Sequence, residues 1–96
     1  MMRHDDAKRT AIQAIMITCA PRTDLAILDH LTLERSYGWV FFYQTTAFVK
    51  TNDIRYGLIG NGPIIVQHDG RVTSLGTALP VDETLAAFEE EHGLTP

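Results

Sequence analysis

The chain has 96 residues, 45% hydrophobic and 21% charged, with a net charge of −4. That length fits a single domain spanning 1–96, and the composition argues against disorder. Eight basic residues against twelve acidic ones argue against a nucleic-acid binder, which needs a basic surplus to neutralise phosphates.

The acidity is local. Residues 80–96 hold Asp82, Glu83, Glu89, Glu90 and Glu91 with no Lys or Arg, so that end carries −5 and the other 79 residues +1. Such an end is a solvated helix face or a docking site for a basic partner. Cys19 is the sole cysteine, which excludes an intramolecular disulfide. The polar start Met1-Met2-Arg3-His4-Asp5-Asp6 is unlike a signal peptide, and no apolar run is long enough to span a membrane. The expectation is a cytoplasmic protein without a membrane segment.

Residues 5–19 read as a helix, with Asp5 or Asp6 as its cap and Pro21 as its stop. Ile12, Ile15, Met16 and Cys19 form an apolar stripe at i, i+3, i+4, i+7. Residues 25–35 read as a strand with a bulge or bend near Asp29. Residues 38–44 are the clearest strand, with Trp39, Phe41 and Tyr43 on one face and Val40 and Phe42 on the other. Thr51-Asn52-Asp53 signals a turn, a short strand is expected around Arg55, Tyr56 and Leu58, and Asn61-Gly62-Pro63 signals another turn.

Asp69-Gly70 between two apolar runs is a hairpin signal. A two-residue loop there pairs Ile64 with Leu75, Val66 with Thr73 and His68 with Arg71 on the core side. Ile65 with Ser74 and Gln67 with Val72 then fall on a solvent or partner-binding face. Residues 80–92 read as a second helix, with Pro80 in its first turn, Val81, Leu85 and Phe88 inward and Gly93 as cap. The fold class is therefore α+β: an N-terminal helix, an antiparallel meander of four to five strands and a C-terminal helix, both helices on one sheet face.

Enzyme templates find no match. The glycines of 57–63 lack the lysine of a phosphate loop, and the dinucleotide fingerprint is absent. His4, His30, His68 and His92 are scattered, unlike the close ligand spacing of a structural zinc site. Cys19 lies on an apolar helix face without a base nearby in sequence, and neither Ser36 nor Ser74 sits in a nucleophile elbow. The expectation is no enzyme, no catalytic residue, no metal and no cofactor.

Three segments occur in a telling order: Gly38-Trp39-Val40-Phe41-Phe42-Tyr43, then Gly60-Asn61-Gly62-Pro63, then Asp69-Gly70 with Leu75-Gly76-Thr77-Ala78. Over roughly residues 5–90 the chain resembles the YrhB-like domain, the immunity protein 35 family of bacterial polymorphic-toxin systems. It departs from that pattern near Thr46–Asp53, where the family has a more acidic segment. The resemblance implies an α+β domain without catalytic residues that binds and neutralises a toxin encoded beside it, in some cases a papain-like peptidase. A chaperone-like role is also associated with the family. A solitary domain holding an unknown small ligand beside Trp39 and Tyr56 is the remaining alternative.

The candidate partner-binding residues are Trp39, Tyr56, Asn61, Ile65, Val72, Glu89, Glu90 and Glu91. An uncovered edge strand leaves a homodimer open as well.

Overall fold

The apolar alternation over 38–44 builds the spine of the molecule. A computed structural model describes residues 2–20, 23–58, 61–77 and 79–96. Its elements are α1 (His4–Thr18), β1 (Leu25–Ile27), β2 (Leu33–Arg35), β3 (Gly38–Phe41), β4 (Tyr43–Thr45), α2 (Thr46–Thr51), β5 (Ile64–Gln67), β6 (Val72–Ser74) and α3 (Val81–Glu91). Two 3₁₀ turns, Asp29–Leu31 and Ile54–Tyr56, complete the set. The fold is α+β, and every strand pair is antiparallel. Pro21, expected to end the first helix, and Gly60, expected in a turn, lie outside the described residues.

The strands form two sheets, β1-β4 and β2-β3-β5-β6. The expected single strand breaks at Phe42, whose carbonyl accepts from Leu28 N–H at 2.8 Å. The chain thereby passes from the larger sheet into the smaller one. The strand expected over 25–35 splits in the same way around the Asp29–Leu31 turn, where a bulge or bend was expected. Leu25 and Ile27 before that turn pack on one core, and Leu33 after it packs on the other.

The helices take opposite faces, not one. Trp39, Phe41, Tyr43, Ile64 and Val66 meet α1, while Val40, Ile65 and Tyr37 meet α3. The apolar side chains on both faces of β3 and β5 each need a cover, and one helix supplies only one. The buried stripe of α1 is Ala7, Ala11 and Ile15, with Met16 exposed. Small side chains at the first two positions let the helix lie close over the large aromatic rings of β3. The helix begins a residue before the predicted cap: Asp6 lies in its first turn and accepts from Arg3 N–H at 3.4 Å.

The hairpin register differs from expectation by one residue. Ile64 pairs with Ser74, Ile65 with Thr73 and Val66 with Val72. Gly70 N–H donates to the Gln67 carbonyl at 2.9 Å, Gln67 N–H to that of Arg71 at 2.9 Å, and Gly70 has φ +90°. The loop therefore has three residues and ends on a left-handed glycine, rather than the two residues expected. A one-residue slip exchanges the faces of the whole strand. The strand that turns over is β6: Val72 faces Val66, and Leu75, expected beside Ile64, packs on the α3 core. β5 keeps its faces, and Ile65, expected on the open one, is 0% exposed because α3 covers it.

Gly62 takes no left-handed conformation; a Cβ there would press on the Leu75 carbonyl oxygen and stand 2.7 Å from its carbon. Close approach to the end of β6 explains this glycine.

Two buried phenols give the fold an alkaline limit. Tyr37 is pushed up to about 12, by burial first and by Glu89 second. Tyr43 is pushed up to about 12, by burial first and by Cys19 beside it. Unfolding returns both toward 10.0. The folded chain holds these protons more tightly, so this stability is full below about pH 10 and falls as pH rises toward about 12. Urea midpoints measured across that window should fall; a flat profile would contradict both assignments.

Candidate interaction surface

Between β4 and β5 the chain makes an excursion over 46–58 that β4 holds from below. The Thr45 hydroxyl accepts from Phe48 N–H at 3.0 Å, capping α2, and donates to the Tyr56 carbonyl at 2.7 Å. Gln44 grips Leu58 on both backbone groups, accepting from its N–H at 2.7 Å and donating to its carbonyl at 3.3 Å. Asn52 ends α2 with φ 55°, and its N–H donates to the Phe48 carbonyl at 2.7 Å. The Asp53 carboxylate accepts from Arg55 N–H at 3.0 Å and pairs with its guanidinium at 2.6 Å. Those contacts hold the Asp53 carboxyl below the usual carboxylate range.

This framework presents apolar groups outward. Ile54 is 81% exposed, with Val49 and Tyr56 each 49% exposed. The Arg55 guanidinium stands 6.0 Å from the centre of the Tyr56 ring. Between α2 and the 3₁₀ turn runs an open groove of about 480 Å³, lined by Gln44, Phe48, Asn52, Ile54, Gly57 and Leu58. The arrangement can receive an apolar side chain; it contains no nucleophile paired with a base.

Sequence reasoning placed a strand around Arg55, Tyr56 and Leu58, and the structure has a 3₁₀ turn at Ile54–Tyr56 instead. Asp53 caps that turn, and Thr45 claims the Tyr56 carbonyl that a ladder would need. Phe48, Val49 and Ile54 escaped notice, although a capping Thr before 46–51 and an Asn after it were legible signals for a short helix.

The eight candidate residues do not converge. Trp39 is buried against α1, with the His68 ring 4.7 Å away edge-on. Ile65 is buried as described above. The Asn61 side chain donates to the Tyr43 carbonyl at 2.8 Å, so it fastens the chain entering β5 to β4. Glu89 is 8% exposed, accepts from the Tyr37 hydroxyl at 2.8 Å and lies 3.3 Å from Arg35 Nε. Glu90 and Glu91 are exposed on α3, so the acidic run splays around the helix. Val72 is 39% exposed on β6, an edge of the larger sheet. Tyr56 alone of the eight lies in the 46–58 excursion.

Among the described residues no three His, Cys, Asp or Glu are grouped to hold a metal ion, and no helix is long and apolar enough to cross a membrane.

Replacing Thr45 by Val keeps its volume and removes both hydrogen bonds under the excursion. A lost cap costs about 0.5–2 kcal/mol, and the second lost bond leaves the Tyr56 carbonyl short of a partner. We expect about 1–2 kcal/mol lower stability and faster chymotryptic cleavage at Tyr56. Unchanged proteolysis would contradict the anchoring role.

Residues 5–91 match the sequence profile of immunity protein 35. The chain belongs to that family. A relative, the uncharacterized protein YrhB of Escherichia coli (strain K12), is 39% identical over 67 residues, 69% of this chain and 71% of that protein. No solved structure matches the chain. Family membership suggests a toxin-neutralising immunity role and a toxin as partner, and families of this kind are generally non-catalytic.

Proposed function

We propose that this chain is a non-catalytic immunity protein that neutralises a cognate bacterial toxin in the cytoplasm by binding it directly. The observation that carries this reading is the family match over 5–91. Its chemistry is consistent with the excursion over 46–58, a surface that presents apolar groups without catalytic ones. A complex tight enough for inhibition buries roughly 1,200–2,000 Å² in total. A papain-like peptidase is the toxin class to examine first, on the family resemblance. The open edge of β6 is where the homodimer that the sequence left open would form, by antiparallel pairing with a second copy.

The test is co-expression. Each reading frame adjacent to the gene is induced in a sensitive host, with and without this protein, and growth is scored. The proposal expects one neighbour to be toxic and this protein to restore growth. A toxic neighbour that this protein leaves fully toxic would overturn it.

A further inference from the structure

Resting on that reading, we infer that the 46–58 excursion is the toxin-docking face and that it takes an apolar side chain of the toxin flanked by a carboxylate. Three observations lead there.

The first is the investment of buried polar groups in a segment that contributes little to either core. Leu58 packs on the α1 core, whereas Val49, Ile54 and Tyr56 point to solvent. Gln44 and Thr45 nonetheless spend their side chains fixing its backbone. A surface already ordered before contact loses less conformational entropy on binding, and more of the contact energy appears as affinity.

The second is composition. Tyr, Arg and a large aliphatic side chain stand together on one rigid turn at 54–56. Binding energy concentrates on a few such residues, and Tyr and Arg are enriched among them. Ile54 and Tyr56 would act as anchors on the toxin, while the groove between Phe48 and Leu58 takes a side chain in return.

The third is charge. Lys8 pairs with Asp29, Arg9 with Asp6, Arg35 with Glu89, Arg55 with Asp53 and Arg71 with Asp69. Among the described residues no carboxylate lies within salt-bridge distance of Lys50, which is exposed beside Val49. With Asp53 engaged by Arg55, the excursion is locally positive on a chain of net charge −4. A carboxylate at the toxin's rim answers that cation, speeding encounter and fixing orientation.

The test uses the purified product of the adjacent toxin gene, inactivated so that it can be produced, and the full chain. Tyr56→Ala and Ile54→Asp should each weaken binding by about thirtyfold or more. Lys50→Glu should slow association by about tenfold at low salt, with the deficit shrinking at high salt. Gln13→Ala, on the exposed side of α1, should bind as the parent does. Tyr56→Ala keeps the test decisive should Ile54→Asp fail to fold.

If the parent binds and all four variants bind equally well, the docking face lies elsewhere and the immunity reading stands. If the parent does not bind the toxin, both fall. Losses confined to Glu90→Gln and Glu91→Gln would place the face on α3 and overturn the inference. Variants that alter self-association and leave toxin affinity unchanged would assign the surface to a second copy and overturn it as well.

Discussion

Replacing Gly38 by Ala is expected to lower stability by about 3–5 kcal/mol, the sum of overpacking and a strained backbone. Gly38 opens β3 with φ +155° and faces Gln67 on β5. A Cβ there would press on the Val66 carbonyl oxygen and stand 2.7 Å from Gln67 Cα and 2.9 Å from the Val66 carbonyl carbon. All three neighbours are backbone, so relief requires the two central strands to part. Those strands carry the side chains of both cores. Domains of this size shift by about 4–8 °C per kcal/mol, so a fall of more than about 12 °C in Tm is expected. A Tm within a few degrees of the parent would contradict the close approach of β3 and β5.

Replacing Glu89 by Ala is expected to cost about 2–3 kcal/mol. The Glu89 carboxylate is the acceptor for the buried Tyr37 hydroxyl at 2.8 Å and faces Arg35 Nε at 3.3 Å. The second contact is at salt-bridge distance, but its N–H points past the oxygen and makes no hydrogen bond. Removal leaves a buried phenol and a guanidinium without their carboxylate. Breaking a fully buried pair costs about 3–5 kcal/mol, and partial exposure of Arg35 at 28% reduces that figure here. Glu89→Gln retains an acceptor of the same length and should cost less. Denaturation curves separate the two variants, and equal losses from both would mean that Tyr37 gains nothing from an uncharged acceptor at this position.

The two helices, the central strand and the hairpin were legible because each carries a local signal. Alternation over 38–44 assigned Trp39, Phe41 and Tyr43 to one side and Val40 to the other, where the structure has them. Leu85, Phe88 and the left-handed Gly93 of α3 follow equally from spacing and cap chemistry. The layering was less accessible. The sequence reading put both helices on one sheet face, although apolar side chains on both faces of the central strand each need a cover, and the helices lie on opposite faces. The register failed for a different reason. Asp69-Gly70 fits either a two-residue or a three-residue loop, and the choice decides whether Leu75 lies beside Ile64 or on the opposite face with Ile65.

The candidate surface was the least legible part. The run Thr46–Thr51 is short and includes β-branched residues, so it carries weak helical preference. Its order comes from Gln44 and Thr45 underneath, a tertiary arrangement invisible in local pattern. Tyr56 stands among the sequence's partner-binding candidates. Ile54 nearby drew no notice, although it is the more exposed of the two. Glu89 was read with Glu90 and Glu91 as one acidic run, yet helical geometry turns it inward to Tyr37.

Direct binding is the central claim, and growth rescue alone leaves open an indirect route. The measurement that bears on it most closely is a calorimetric titration of this protein into the inactivated toxin of the adjacent gene. The account predicts a 1:1 complex with submicromolar Kd and a negative heat-capacity change from burial of apolar surface. Rescue of growth in the cell without any heat of binding, confirmed by separate elution of the two proteins, would contradict it.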